Sequence, residues 1–357
     1  MKLPIFFIFT ALFGISQLSH AQDSRRTEKL LEQGTLAENM LTIPLSMETG
    51  QAFGSQTILE KCWTKSELEG SPLDKKVVRP HQSDDYYPDA QLIPNQPVAP
   101  NLRNCIRRVN PHTGEKLLAL TFDLCERNLE KTGYDAEIIN YLRENRIKAT
   151  FYAGGKWMHS HPDKTQQLMA DPLFELGNHA WTHGNLRVLT GEKMREQILW
   201  TQAEYQVQRQ VLAKQQCAAL YPTELAKIPE TLKTFRFPYG TCQSESLQAL
   251  AGYGLPAIQW DVVTGDPAPK QTAEAIVNKV LSSAKSGSII VAHANGRGHA
   301  TASALKKVIP KLQELGYRFV TVSELLASGT VEATKDCYEE TPGDNLKYDK
   351  LFGKGTD

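Results

Sequence analysis

Residues 117–122 read "LLALTF" and are followed by Asp123, and residues 135–145 read "DAEIINYLREN". An unbroken run of apolar or β-forming residues is typical of a buried strand. The second stretch repeats its apolar residues at the spacing of an amphipathic helix. Together they predict a strand followed by a helix, which is the repeating unit of parallel α/β folds.

The same alternation continues along the chain. Three more candidate strands, at residues 148–154, 256–263 and 288–294, are each followed by a candidate helix, at residues 162–170, 272–284 and 303–316. Residues 318–326 end the series. This pattern predicts an α/β fold with parallel strands. In barrels of this class the functional side chains collect at the carboxyl ends of the strands.

The composition is that of an ordinary globular protein. Of 357 residues, 40 are basic and 40 are acidic, so the formal net charge is zero. A balanced chain offers no basic footprint for nucleic acid or for an anionic membrane surface. We therefore expect no nucleic-acid partner, and the sequence makes no prediction of the oligomeric state.

The chain divides into four predicted segments. Residues 1–21 combine a basic start, an apolar run and a small-x-small cleavage pattern, as in a secretory signal peptide. The run is shorter than the ~20 residues that cross a bilayer. Residues 22–112 form an irregular N-terminal extension that is proline-rich towards its end, residues 113–328 form the α/β domain, and residues 329–357 form a polar tail. We expect an exported protein, periplasmic or secreted, without a transmembrane segment.

Six cysteines follow the predicted signal peptide. Disulfides persist in exported proteins, and cross-links that restrict the unfolded state stabilise a chain with a long irregular extension. One to three disulfides are therefore expected, although spacing alone does not choose the pairing. Cys125 and Cys242 each follow a strand-end motif directly, which makes them one candidate pair.

Polar side chains stand at the predicted strand ends. They are Asp123, His179, His183, Arg236, Tyr239, Asp261, Asp266 and His293. The set contains two imidazoles suited to zinc and similar metals, together with carboxylates and a cation. Singly, each has a structural interpretation, since a strand-end aspartate is often a helix cap and a histidine is often a hydrogen-bonded core residue. Their convergence favours a functional site.

The order of these motifs resembles a known family. The succession "TFD", "HxxxH", "RxPYG", a Trp-Asp strand end and a late strand that ends in His is similar to the polysaccharide deacetylases, the family 4 carbohydrate esterases with NodB homology, over about residues 115–326. The resemblance implies a distorted (β/α) barrel, usually with seven strands. It also implies metal-dependent removal of N-acetyl, or sometimes O-acetyl, groups from a glycan.

The resemblance implies roles that suit the residue types. His179 and His183 would hold a divalent ion, with zinc as the first expectation and cobalt or nickel as alternatives. The ion would polarise the acetyl carbonyl and acidify the attacking water. Asp123 would accept the water's proton as general base. The ion and the backbone N–H of Tyr239 would stabilise the oxyanion.

The same resemblance implies a proton donor and its support. His293 would protonate the departing sugar amine as general acid, and Arg236 would orient Asp123. In the family an aspartate of the fourth motif pairs with the acid histidine. Here that motif reads "WDVVTGDP", so Asp266 is the first candidate for this pairing and Asp261 is the reserve.

The fourth motif also lacks a tryptophan that the family places there. Pro267 occupies that position, so the apolar wall of the substrate site is expected from Trp260, with Trp181 or Tyr239 as alternatives.

The first motif lacks the second aspartate, which binds the metal in the family. It reads "TFDLCE" here, and Leu124 cannot coordinate a metal. Catalytic zinc sites commonly have three protein ligands, so a third one is expected from nearby. We favour Asp135, at the start of the following predicted helix, over Glu126, and Asp135 could equally be only a helix cap.

Three functions remain open on sequence grounds. The first is a hydrolase that removes N-acetyl, or O-acetyl, groups from a cell-envelope or extracellular polysaccharide. The second is a non-catalytic glycan-binding protein on the same fold. The third is a metal-dependent amidohydrolase that acts on another C–N bond. Retention of Asp123, Arg236 and His293 favours an enzyme, because a binding module needs neither an acid nor a base.

Overall fold

The computed structural model describes residues 53–79 and 86–355 of the 357-residue chain. The predicted signal peptide, residues 1–21, and the first part of the predicted extension lie outside the described residues. Among the residues that are described, no helix combines the length and the apolar character needed to cross a membrane.

Eight strands form one sheet. They are β1 (Cys105–Pro111), β2 (Leu117–Leu124), β3 (Ala149–Ala153), β4 (Phe174–Asn178), β5 (Val262–Val263), β6 (Ser288–His293), β7 (Arg318–Val320) and β8 (Gly329–Thr334). Strand β2 is buried at every position, because both faces of a parallel sheet are covered. That burial explains why its sequence reads as a continuous apolar run.

The sheet curls into a distorted barrel, as predicted. The strand order is β4-β3-β2-β6-β1-β8, with β5 beside β6 and β7 beside β2. Strands β2 to β7 pair in parallel. Phe235 bridges Asn178 at the end of β4 to Ala257 before β5, also in parallel. The six parallel strands and this bridged segment together enclose the barrel interior.

Helices cover the outside of the barrel. Those in the described part of the chain are α1 (Gln56–Cys62), α2 (Lys65–Glu69), α3 (Ala136–Glu144), α4 (Gly155–Ser160), α5 (Pro162–Ala170), α6 (Gly191–Lys214), α7 (Gln216–Ala219), α8 (Pro222–Leu225), α9 (Ser244–Gly252), α10 (Ala273–Ser283), α11 (Thr301–Glu314), α12 (Val322–Ala327) and α13 (Lys347–Leu351). Short 3₁₀ turns occupy Pro72–Lys75, Pro100–Leu102 and Pro238–Gly240. In α3, Ile138, Ile139 and Leu142 are buried on one face, the apolar stripe expected of an amphipathic helix.

The sheet extends beyond the predicted domain boundaries at residues 113 and 328. Strand β1 lies in the predicted N-terminal extension and β8 lies in the predicted polar tail, and the two pair antiparallel. Strand β1 also pairs with β6 through Arg108 and Ser288. The two flanking segments therefore extend the sheet beside the start of β6, next to the residues that pair with β5, and the predicted boundaries stay a prediction.

Two disulfides join distant parts of the described chain, within the expected range. They are Cys62–Cys217 and Cys242–Cys337, and Cys105 and Cys125 are free and buried. The predicted Cys125–Cys242 pair is wrong. Cys242 instead binds the segment after β8, whose packing could not be anticipated from a polar composition.

Candidate active site

The barrel brings Asp123 and His293 side by side. They are register partners at the ends of the neighbouring parallel strands β2 and β6. Paired residues on parallel strands direct their side chains to the same face. The predicted base and the predicted acid therefore share one end of the barrel.

Arg236 holds Asp123 in a buried ion pair. Its Nη1 lies 2.9 Å from Asp123 Oδ1 and 2.8 Å from the hydroxyl oxygen of Thr121. The guanidinium also donates to the carbonyls of Ile258 and Gln259. Arg236 is fully shielded from solvent. With its donors so occupied, the guanidinium fixes the orientation of the carboxylate.

Asp123 is an ionised carboxylate in a buried position. Burial by itself raises its pKa, but the charges of His179, Arg236 and His293 outweigh burial and lower the pKa overall. A carboxylate that remains charged near neutral pH can accept a proton.

His179 presents one nitrogen to the site. Its Nδ1 lies 2.9 Å from the carbonyl oxygen of Arg236. A carbonyl only accepts hydrogen bonds, so Nδ1 carries the proton and Nε2 offers a lone pair. Nε2 is buried without a hydrogen-bond partner, 3.5 Å from Asp123 Oδ2. Two acceptors that face each other so closely repel unless a proton or a metal cation compensates them.

His183 lies beside His179, with ring centroids 4.9 Å apart. Burial, followed by the charges of His179 and Arg297, holds the pKa of His183 well below its usual range. Burial also lowers the pKa of His179, so the structure favours the neutral form of both imidazoles, which is the form that binds metals.

Three non-glycine residues around the site adopt left-handed backbone conformations. The φ angles are 64° at Ala180, 58° at His183 and 58° at Tyr239. Such residues cost about 1–3 kcal/mol each and cluster at functional sites. The Tyr239 ring contacts His183 at a centroid distance of 4.4 Å, so the strained turns bring the "HxxxH" and "RxPYG" motifs together.

A third potential ligand joins the two histidines. In the described part of the chain, Cys125, His179 and His183 are the group at this site whose potential ligand atoms all lie within 4.8 Å of one another. Burial raises the pKa of the Cys125 thiol to about 11. Neither Asp135 nor Glu126, the two predicted third ligands, belongs to this group.

Asp135 and Glu126 each have one carboxylate oxygen, Asp135 Oδ1 and Glu126 Oε1, that is buried without a hydrogen-bond partner. Asp135 precedes α3, and its backbone N–H donates to the carbonyl of Ala294, but its side chain makes no capping hydrogen bond. Glu126 accepts a 2.8 Å hydrogen bond from the backbone N–H of Thr132 and stabilises the loop after β2. Neither residue belongs to the group formed by Cys125, His179 and His183, and the role of Asp135 as third metal ligand stays a prediction.

The residues at this site fit a divalent transition metal. His179 Nε2 is an orphaned buried acceptor, and its Nδ1 hydrogen bond to a carbonyl is the support that metal-binding histidines usually have. The second neutral imidazole, His183, lies in contact with it. Nitrogen donors of this kind suit zinc, cobalt and nickel.

The structure brings Asp266 to His293. Asp266 Oδ1 lies 2.9 Å from His293 Nδ1, and Oδ2 accepts from the His293 backbone N–H at 2.7 Å. Burial lowers the pKa of His293, but Asp266 outweighs this effect and the net pKa is raised. Asp261, the reserve candidate, instead accepts hydrogen bonds from Ser288 and Ile289.

The two predicted tryptophans are packing residues. Trp260 is 6% exposed, and its indole N–H donates to the carbonyl of Glu339. Trp181 is equally buried and lies over Gly155, where a Cβ atom would come within 2.2 Å of the ring. The chain after β8 thus contacts the Trp260 ring, and the substrate contact of this residue stays a prediction.

The chain after β8 packs on the site. We call residues 337–355 the C-terminal segment. Its Phe352 stacks on Tyr239 at a centroid distance of 4.4 Å, and the side-chain amide of Asn345 donates to the carbonyl of Gly240. Asp349 pairs with Arg187. The predicted polar tail is thus part of the wall beside the "RxPYG" turn.

Sequence reasoning missed Cys125, Asn295 and Arg297. Asn295 Nδ2 donates to Cys125 Sγ at 3.3 Å, and Arg297 forms an ion pair with Glu130. Cys125 carried a usable signal, because alternate residues of a strand share a face and Cys125 is two residues after Asp123. Asn295 and Arg297 lie two and four residues after His293, at the end of a predicted strand, so the same alternation indicates them as neighbours of the site.

Comparison with known proteins agrees with the site. A family model described as polysaccharide deacetylase matches residues 110–258. A peptidoglycan-N-acetylglucosamine deacetylase of Bacillus cereus is 30% identical over 210 residues, which cover 58% of this chain and 67% of that protein. A peptidoglycan-N-acetylglucosamine deacetylase of Listeria monocytogenes is 26% identical over 286 residues. That match covers 78% of this chain but only 52% of the relative's length.

Among solved structures, a CE4 family pseudoenzyme from Bacillus anthracis is 24% identical with a TM-score of 0.51, and the match covers 64% of this chain and 70% of that one. This similarity establishes the fold. With the motif matches and the sequence relatives, it places the protein: the chain belongs to the polysaccharide deacetylase family, the family 4 carbohydrate esterases.

Proposed function

We propose that this protein is a metal-dependent deacetylase that hydrolyses N-acetyl groups of a glycan containing N-acetylglucosamine. The observation that carries the proposal is the position of Asp123. Arg236 fixes it at 2.9 Å, His179 lies 3.5 Å away, and His293 is its register partner on the next strand. A base, a metal-ligand pair and an acid therefore share one end of the barrel.

His179 and His183 would hold the metal ion. When bound, the ion supplies Lewis-acid polarisation of the acetyl carbonyl and makes the attacking water more acidic. His179 already has the tautomer that this role needs, because its Nδ1 proton is donated to the carbonyl of Arg236.

Asp123 accepts the proton of the attacking water. Its lowered pKa keeps it ionised near neutral pH, and its Oδ2 faces the histidine pair while Oδ1 is held by Arg236. The backbone N–H of Tyr239 is the proposed donor to the oxyanion. Its left-handed conformation belongs to the strained turn beside His183.

His293 donates a proton to the leaving amine. Its raised pKa preserves the charged form, and the carboxylate at Nδ1 leaves Nε2 as the donating nitrogen. Without this proton the tetrahedral intermediate would expel hydroxide and return to substrate. Asp266 sets both the charge and the orientation of the ring.

The substrate class follows from the relatives' names. Sequence relatives are named peptidoglycan-N-acetylglucosamine deacetylase and chitooligosaccharide deacetylase. Their shared chemistry is an N-acetyl group on a glucosamine unit. A cell-envelope substrate agrees with the predicted signal peptide and with export to the periplasm or medium, which are part of this proposal.

The alternatives differ from the proposal in what they need from the site. A glycan-binding protein has no use for a buried carboxylate held by an arginine beside a histidine with a raised pKa. An amidohydrolase with another substrate would use the same residues. The fold by itself does not separate enzyme from binder, because function resides in the site.

Acetate release tests the proposal. The protein is incubated with N-acetylglucosamine oligomers, with peptidoglycan and with a simple acetamide, before and after metal removal by a chelator. We expect release from a glycan and its loss on chelation. Asp123→Asn should lower turnover by about 10²–10⁴-fold. Asp261→Asn is the matched control, since that carboxylate binds only Ser288 and Ile289.

Each result decides between the functions. Glycan binding without acetate release from any substrate would favour the binding protein. Release from the acetamide but not from glycans would favour the amidohydrolase. Equal turnover in Asp123→Asn and the native protein would refute Asp123 as the base.

A further inference from the structure

We propose that Cys125 is the third protein ligand of the metal site and replaces the carboxylate that the first motif lacks. The inference rests on the metal-dependent function proposed above. It assigns the site two imidazoles and one thiolate in place of two imidazoles and one carboxylate.

The strand geometry selects residue 125. Side chains alternate between the two faces of a strand, so Leu124, the last residue of β2, points away from the face of Asp123, and Cys125 is the first residue after the strand. Leu124 is fully buried in the apolar layer between the sheet and its helices. Leu124 therefore packs in the apolar core, and the next residue, Cys125, has its sulfur beside the two histidines.

The distances favour the same residue. The Sγ of Cys125 and a ring nitrogen from each of His179 and His183 all lie within 4.8 Å of one another. A tetrahedral zinc ion, with bonds of about 2.0–2.3 Å, separates its ligand atoms by about 3.3–3.8 Å. The ligand atoms therefore need to approach one another by at most about 1–1.5 Å to bind such an ion.

Asn295 positions the sulfur. Its side-chain amide donates to Cys125 Sγ at 3.3 Å and to the Cys125 carbonyl at 2.7 Å, and the residue is fully buried. Hydrogen bonds of this kind orient metal ligands and tune their affinity. Asn295 is thus a positioning residue that acts through Cys125.

A thiolate changes the metal preference of the site. Soft sulfur ligands select zinc and similar ions over magnesium or manganese, which prefer oxygen. The thiol proton leaves to solvent when the metal binds. We therefore expect Zn²⁺ and Co²⁺ to bind, and Mg²⁺ to bind poorly.

Cobalt absorption tests the ligand directly. Co²⁺ is added to the full-length protein after chelator treatment, and the spectrum is recorded. A cobalt–thiolate bond gives a sulfur-to-metal charge-transfer band in the near ultraviolet, which nitrogen and oxygen ligands do not give. We expect the band in the native protein and its loss in Cys125→Ser. Cys105→Ser is the matched control, because Cys105 is the other free, buried cysteine of the described chain.

Affinity measurements complete the test. By chelator competition, Cys125→Ser should weaken Zn²⁺ binding by at least about 100-fold and Asn295→Ala by about 10–100-fold. Cys125→Asp should bind Co²⁺ without the band. If Cys125→Ser fails to fold, the spectrum of the native protein and the Cys125→Asp variant still decide.

The outcomes separate this inference from the proposed function. Stoichiometric Co²⁺ binding without the band, or no Co²⁺ binding at all, would overturn the cysteine ligand. A band without acetate release would support the ligand and refute the deacetylase. Acetate release without the charge-transfer band would support the deacetylase and refute the cysteine ligand.

Discussion

Arg236 Nη1 lies 2.9 Å from Asp123 Oδ1, and neither side chain has more than slight contact with solvent. Removal of the cation would leave a carboxylate in the interior without compensation, which costs about 3–5 kcal/mol. We expect Arg236→Met to lower the free energy of unfolding by about that amount, as measured by urea denaturation.

The double variant Asp123→Asn/Arg236→Met is the control for this prediction. It removes both charges, so we expect it to be more stable than Arg236→Met although it lacks the base. An equal loss of stability in the single and double variants would show that the arginine acts through packing on Tyr152, whose ring lies 4.0 Å away, and not through charge.

Asp266 should control the alkaline limit of activity. The pKa of His293 is raised because the charge of Asp266 outweighs the effect of burial. The protonated acid therefore persists to higher pH than an ordinary histidine would allow. Asp266→Asn removes that charge, so the alkaline limb of kcat/KM should move to lower pH. If the alkaline limb does not move, its pKa belongs to a group other than His293.

The fold was predictable because buried parallel strands are continuous apolar runs in the sequence. Strand β2 is apolar at nearly every position, and the rule that polar residues at strand ends converge led from sequence to Asp123, Asp266 and His293. The pairing of Asp266 in preference to Asp261 needed the family resemblance as well, since both aspartates follow the same predicted strand.

The remaining parts of the site depend on contacts that sequence spacing does not encode. Glu339 covers Trp260 from 79 residues away, and Phe352 reaches Tyr239 from still further along the chain. The sequence predicted a carboxylate as the third ligand, whereas the proposed ligand, Cys125, lies directly after β2 and two residues after Asp123. The course of the loop after β2 decides where the carboxylate of Asp135 lies, and sequence spacing does not give that course.

His161 should make the protein acid-sensitive. Burial lowers its pKa from 6.5 to about 4, and its ring stacks on Trp157. Between these values the unfolded chain binds the proton more strongly, so stability falls as pH drops from about 6.5 to 4, by about 2–3 kcal/mol. We expect His161→Asn to flatten this slope in urea unfolding across that range. An identical slope would exclude His161 as the source.

The Cys242–Cys337 disulfide should keep the C-terminal segment on the site. Removal of a native disulfide typically costs about 2–5 kcal/mol. We expect Cys242→Ser/Cys337→Ser to lose stability and to become open to protease cleavage within the C-terminal segment, detected by mass spectrometry. Both cysteines are replaced, because Cys105 lies close enough to pair with either one left alone.

Cys62→Ser/Cys217→Ser is the matched control. This disulfide joins α1 to α7 and contains no residue of the C-terminal segment. The control should lose stability without new cleavage in the C-terminal segment. Similar cleavage in both variants would show that the segment is held by general stability and not by its own disulfide.

The two disulfides also divide the site residues between two covalently closed rings of the chain. The ring closed by Cys62 and Cys217 contains Asp123, Cys125, His179 and His183, and the ring closed by Cys242 and Cys337 contains Asp266 and His293. Arg236 and Tyr239 lie on the link between the rings, residues 218–241. A backbone cut within either ring leaves one covalent molecule. A cut in the link would give two closed fragments, one with the proposed base and metal ligands and the other with the proposed acid. Their reassembly would restore a complete site from two separable pieces.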